Sequence, residues 1–170
     1  MDKSAKHERA RTALIKTVIP ALKAIDMDSQ AARELVLGTG IKESGLMMWR
    51  QQGGGLARGL WQMEPDTFDC HWSDYVKKDA RLKAALCSLT HHWGYPISAD
   101  LVASDRFAAA MCRVHYARVS EPLPEAGDLD GQAHYWKDHY NTRLGKGTPS
   151  GYIQAWNQYV TDDTFKNSGN

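Results

Sequence analysis

The sequence predicts a mostly α-helical single domain. Apolar residues recur at helical spacing through most of the chain, and strict alternation over four or more residues is scarce. The 170 residues show no internal repeat and no linker, a length that suits one hydrophobic core. Hydrophobic residues at 42% and charged residues at 24% exclude a disordered or low-complexity chain. Lys and Arg (21) nearly balance Asp and Glu (20), so no bulk charge draws the chain to nucleic acid or an anionic bilayer.

The first helix is expected from about Ser4 to Ala24, with Ala10, Leu14, Val18 and Leu22 on one stripe and a bend at Pro20. A second begins at an Asp28 or Ser29 cap, turns Ala32, Leu35 and Val36 inward and ends near Glu43. From Ser44 to Gly59 the chain holds Gly45, Gln51-Gln52 and Gly53-Gly54-Gly55. That is too glycine-rich for an element interior, so a loop or small irregular hairpin is expected. Pro65 suits a first helical turn, and Phe68, Trp72 and Tyr75 mark the apolar side of the helix it opens. Another helix is expected from Ala80 to Leu89. A central buried one should start at a Ser104 cap, carry Phe107, Ala108, Met111, Cys112 and His115, and stop before Pro122. A second loop over Glu121 to Gly131 precedes helices near Gln132 to Leu144 and Pro149 to Tyr159.

No apolar run reaches the length of a membrane span, and Lys16, Pro20 and Lys23 interrupt the only stretch resembling a secretory leader. The chain is therefore expected to be made in the cytosol without a signal peptide and not to insert into membranes. Cys70, Cys87 and Cys112 are odd in number and sit in helical contexts, which reads as reduced and mostly buried thiols. The seven His residues, His91-His92 and His134/His139 among them, lack ligand spacing, so neither a metal nor another cofactor is expected. Gly145-Lys146-Gly147-Thr148 lacks the frame of a phosphate loop.

Glu43 stands where a predicted helix runs out into the glycine-rich loop, a place that presents a carboxylate to a cleft. Gln62 follows it by nineteen residues, in the run Ala57-Arg58-Gly59-Leu60-Trp61-Gln62-Met63. Glu43-Ser44, the loop, and Ala57-x-Gly59-Leu60-x-Gln62 together resemble the two signatures of the soluble lytic transglycosylases and goose-type lysozymes. Trp61 and Met63 replace the usual residues, and Leu56 stands where a Gly is usual. Ala108-Ala109-Ala110 leading to Tyr116-Ala117 resembles a third element, without the Asn and Gly that follow the family's Tyr. The resemblance covers about 29–119, and a helical extension over about 130–161, with Tyr135-Trp136-Lys137 and Tyr140-Asn141-Thr142, matches nothing in the family core.

The resemblance implies a single lysozyme-like domain over 1–170 that cleaves the β-1,4 bond between N-acetylmuramic acid and N-acetylglucosamine in peptidoglycan. Glu43 would be the general acid and base, its carboxyl kept protonated by an apolar wall of Leu46, Met47, Met48 and Trp49. In a transglycosylase one acid suffices, because the sugar's own 6-hydroxyl attacks; a lysozyme that inverts needs a second carboxylate for water. Glu64, two residues after Gln62, is either that group or a partner of the following helix N-terminus. Ser44, Trp49, Gly59, Trp61, Gln62, Met63 and Tyr116 are the expected substrate-binding residues, with Trp72, Trp93 and Trp156 assigned to packing. The partner would be peptidoglycan glycan strands, met in the periplasm by a monomer or as part of a phage particle. An endolysin or virion-associated wall hydrolase fits the missing leader. The competing readings are a non-catalytic lysozyme-like component of a phage tail or secretion apparatus, and a nucleic-acid binder using Lys3, Lys6, Arg9 and Arg11.

Overall fold

The computed structural model describes residues 2–91, 94–141 and 145–166, with Gln52 described by its backbone alone. Trp93, His92, Thr142 and the expected helix end at Leu144 lie outside the described residues. The described residues are mostly helical, and no strand longer than an isolated bridge occurs among them.

Helix α1 (Lys3–Ala13) passes through a π turn (Leu14–Val18) into α2 (Ile19–Ala24) without a break. The Ile19 N–H reaches back five residues to the Leu14 carbonyl. This widened turn lies directly before Pro20, which has no N–H to give and whose ring would crowd the carbonyl four residues earlier in a regular helix. The bend expected at Pro20 is thus a change of helical pitch. Ala10, Leu14, Val18 and Leu22 are all fully buried.

Helix α3 (Gln30–Ser44) begins at Ser29, whose side chain accepts from the Ala32 N–H, and ends on Gly45 in the left-handed region at φ 59°. It is buried on nearly every side. Two glycines let its neighbours come close: a Cβ on Gly38 would overlap the Tyr152 hydroxyl, and one on Gly40 would meet Leu46 at 2.8 Å and Trp61 at 3.1 Å. After the glycine-rich segment come α4 (Pro65–Asp74), α5 (Ala80–Ser88, capped by Asp79) and a short α6 (Asp100–Ala103) that periodicity does not reveal. Helix α7 (Asp105–Ala117) starts at the Ser104 cap and buries Phe107, Ala108, Met111 and Cys112 against α2, α3 and α4. Helix α8 (Leu129–Trp136), continued by a π turn (Lys137–Asn141), starts three residues earlier than expected because Asp128 caps it. Helix α9 (Pro149–Tyr159) lies across α1, α3 and α8, and Thr148 is its cap, a structural use for the Gly-Lys-Gly-Thr run.

Apolar residues of all the longer helices join one cluster. Glu34, buried in α3, ties the 121–131 loop to it by accepting from the Gly127 N–H at 2.7 Å and the Gln132 side chain at 2.8 Å. Cys112 is buried and Cys87 partly so, but Cys70 is exposed because it falls on the outer face of α4.

The segment 45–63 is an irregular hairpin. Arg58 bridges both Arg50 and Met63, and Gly59, at φ 71°, donates its N–H to the Trp49 carbonyl at 2.8 Å. A Cβ on Gly59 would stand 2.3 Å from the Leu101 carbonyl oxygen. Gly59→Ala is therefore expected to cost roughly 1–3 kcal/mol of stability, through backbone strain and this clash. Urea unfolding of the variant beside the wild type measures it.

Candidate active site

Glu43 lies in the last turn of α3 and its side chain is half-buried. Its Oε1 accepts a hydrogen bond from the Trp136 indole N–H at 2.9 Å. Burial pushes the Glu43 carboxyl above its ordinary value, and the opposing influences of Trp136 and Lys42 are smaller. The C-terminal carbonyls of α3 work in the same direction as burial, since they disfavour a negative charge. Among the described residues no cation stands within ion-pair distance of Glu43. Lys42, its neighbour, instead lies over the Trp136 ring at 5.6 Å.

Glu43 opens onto a cleft of about 550 Å³. The hairpin supplies one wall with Met48, Gln51, Ala57, Gln62 and Met63, the start of α4 supplies Glu64 and Thr67, and His115, Tyr140, Asn141 and Gly145 close the far side. Gln62 sits at φ 49° and donates its amide to the carbonyls of Met48 (3.1 Å) and Gly59 (2.9 Å), which fixes the side chain across the hairpin. Glu64 is exposed at the N-cap position of α4, yet its side chain makes no cap hydrogen bond. A larger groove of about 740 Å³ between α1 and α9 has no carboxylate among its described lining residues.

The structure therefore brings Glu43, Gln62, Met63 and Glu64 together and places the other expected site residues elsewhere. Ser44 is buried at the hairpin joint, donating to the Leu60 carbonyl at 2.6 Å and accepting from the Leu46 N–H. Trp61 is a core residue whose indole N–H goes to the Val36 carbonyl. Tyr116 is buried with its hydroxyl on Thr39 at 2.8 Å. Gly59 spends its backbone groups inside the hairpin. Trp49 is exposed but turned away from the cleft, with its indole N–H on Asp105 at 2.8 Å. Of the expected apolar wall, only Met48 lines the cleft. Leu46 is packed against the Gly40 position, and Met47 and Trp49 face outward.

The residues that sequence reasoning missed come from the C-terminal segment. Trp136 holds Glu43, while Tyr140 lines the cleft and donates its hydroxyl to the Trp61 carbonyl at 2.7 Å. The clustered Tyr135-Trp136 and Tyr140-Asn141 pairs were the available signal.

Behind the cleft lies a chain of histidines. His115 Nε2 is 2.6 Å from the His139 carbonyl, which can only accept, so His115 carries its proton there. Its Nδ1 then accepts from His71 Nε2 at 2.8 Å, and His71 Nδ1 accepts from Arg118. Both rings are neutral in this arrangement. Burial first, and then the neighbouring His115 and Arg118, push His71 down to about 3; burial also lowers His115.

Two expectations have opposite signs. Unfolded histidine takes up a proton near pH 6.5, so stability carried by neutral His71 is present above that pH and lost as pH falls towards about 3. His71→Gln should flatten this acid-side decline in the melting temperature. Glu43 acts the other way: its raised value makes the folded state lose stability as pH rises past the ordinary carboxyl range. Glu43→Gln should melt like the wild type near pH 4 and above it near pH 8. Trp136→Phe, lacking the donor that favours the charged form, should move the Glu43 carboxyl titration to still higher pH in a carbon-13 NMR experiment. Compared with models of known protein families, with curated proteins and with solved structures, the chain matches none.

Proposed function

We propose that this chain is a lysozyme-like glycosidase that cleaves the β-1,4 bond between N-acetylmuramic acid and N-acetylglucosamine in peptidoglycan. The observation that carries the reading is Glu43: a half-buried carboxyl, raised above its ordinary value, opening onto a cleft that also presents Gln62 and Glu64. A carboxylic acid that stays protonated towards neutral pH is what the glycosidic oxygen needs as its proton donor. The order Glu43-Ser44, hairpin, Gly59-Leu60-x-Gln62 supports the same assignment through its resemblance to the transglycosylases and goose-type lysozymes. The Asn missing after Tyr116 has a counterpart in Asn141, which follows Tyr140 and lines the cleft from another helix.

In this mechanism Glu43 protonates the leaving oxygen while Trp136 holds its other oxygen in place. If the attacking hydroxyl is the muramyl 6-OH, the resulting Glu43 carboxylate takes its proton, the product is a 1,6-anhydro sugar and no second carboxylate is needed. If it is water, Glu64 is the group free to activate it, since its carboxylate is not spent on capping α4. Delivery to the periplasmic wall, as an endolysin or with a phage particle, belongs to the same proposal.

Neither competing reading gains support. A non-catalytic scaffold role expects Glu43 in an ion pair away from any groove. A nucleic-acid role expects a free basic face on α1. Lys6 is bonded to Gln158 and lies over Tyr159, Arg9 reaches the Leu46 carbonyl and Arg11 the Asp163 carbonyl.

Digestion of purified peptidoglycan with mass analysis of the released muropeptides tests the proposal. Glu43→Gln should lower release by about 10²–10⁴-fold, the usual worth of a general acid, without unfolding the chain. Wild-type activity should fall as pH rises through the Glu43 titration, because the protonated form is the competent one. Glu64→Gln should matter strongly only if the products carry free reducing ends in place of anhydro ends. Full activity in the Glu43 variant would overturn the assignment.

A further inference from the structure

Among the described residues the groove beside Trp49 shares no lining residue with the Glu43 cleft. The hairpin turns Met48 into the cleft and Trp49 into a separate groove of about 470 Å³. Opposite Trp49 stand Thr17 of the π turn, Ser88 and Thr90 at the end of α5, and Asp105 and Arg106 at the start of α7. Among the described residues Trp49 is the one tryptophan among the exposed large apolar side chains, at 45% exposure.

This indole is fixed, not loose. Its N–H is held by Asp105 Oδ1 at 2.8 Å, which anchors one edge and leaves the ring otherwise accessible. The rim around it is polar: Ser88 and Thr90 donate to the carbonyls of Ala85 and Cys87, leaving their oxygens as acceptors, and Arg106 is pinned by its Nε to the Lys16 carbonyl at 3.0 Å. A rigid aromatic face bordered by hydroxyls, a carboxylate and a guanidinium matches a pyranose, whose CH face stacks on a ring while its hydroxyls need donors and acceptors at the edge. An apolar peptide would leave that rim unpaired.

We infer that the Trp49 groove is a second saccharide site, outside the catalytic cleft, that anchors the chain to an insoluble glycan. Its identification with the wall polysaccharide rests on the function proposed above; its chemistry as a sugar site does not.

Co-sedimentation of the cleavage-deficient Glu43→Gln chain with purified peptidoglycan, and with glycan strands stripped of their stem peptides, tests this. Adding Trp49→Ala should weaken binding to both polymers about tenfold, the equilibrium equivalent of one aromatic stacking contact, while Trp49→Phe should retain most of it. Ser88→Arg, which fills the groove from α5 without touching the hairpin, should reproduce the loss and guards against a folding defect in Trp49→Ala. Unchanged binding in both Trp49→Ala and Ser88→Arg would overturn the inference. So would a loss seen only with peptide-bearing walls, because the groove would then be a peptide site. If wild-type protein released no muropeptides while sedimentation still depended on Trp49, the glycosidase reading would fall and the saccharide site would stand.

Discussion

A carboxyl group at the C-terminal end of a buried helix is costly to ionise, and the arrangement around Glu43 follows from keeping it there. Burial and the helix carbonyls both favour the neutral acid, and the one hydrogen bond from Trp136 orients the group without neutralising its character as an acid. A salt bridge in place of that indole would have pulled the carboxyl back towards an ordinary, ionised state. The neighbouring cation, Lys42, is drawn onto the Trp136 ring face instead of the carboxylate. Helix α3, the glycine-rich hairpin and the C-terminal segment meet at this point, so the fold and the acid are parts of one arrangement.

The hairpin is the second constraint. Ser44 and Gly59 look like site residues because they stand close to Glu43 and Gln62 in the sequence, yet their hydrogen bonds are spent on giving the hairpin its shape. That shape has two working faces, one towards Glu43 and one carrying Trp49. Gly40 admits Trp61 and Leu46 against α3, which seats the hairpin on the helix that bears the acid.

Most of the helical layout was legible in the sequence, because it is written in local chemistry. The Ser29 and Ser104 caps, the Pro65 start and the four-residue stripe from Ala10 to Leu22 each depend on neighbours a few positions away. That Glu43 and Gln62 share one cleft was legible through a compact two-part motif. What escaped was orientation and distance. Nothing local says that Trp61 turns inward while Trp49 turns out, since that depends on hairpin register and on the missing side chain at Gly40. Tyr116 and Tyr140 are equivalent as residue types, but only Tyr140 lies on the helix face that meets the cleft. Periodicity also cannot show that Pro20 is absorbed by a π turn, because the widened turn keeps the apolar stripe in line.

The contact between Trp136 and Glu43 spans 93 residues of chain. The two residues therefore meet only after the chain between them has been made and folded back. The orienting indole and the far wall of Tyr140 and Asn141 come from α8 and its continuation, well after α3 in the chain. The environment of the Glu43 carboxyl is thus completed only when α8 has docked beside α3.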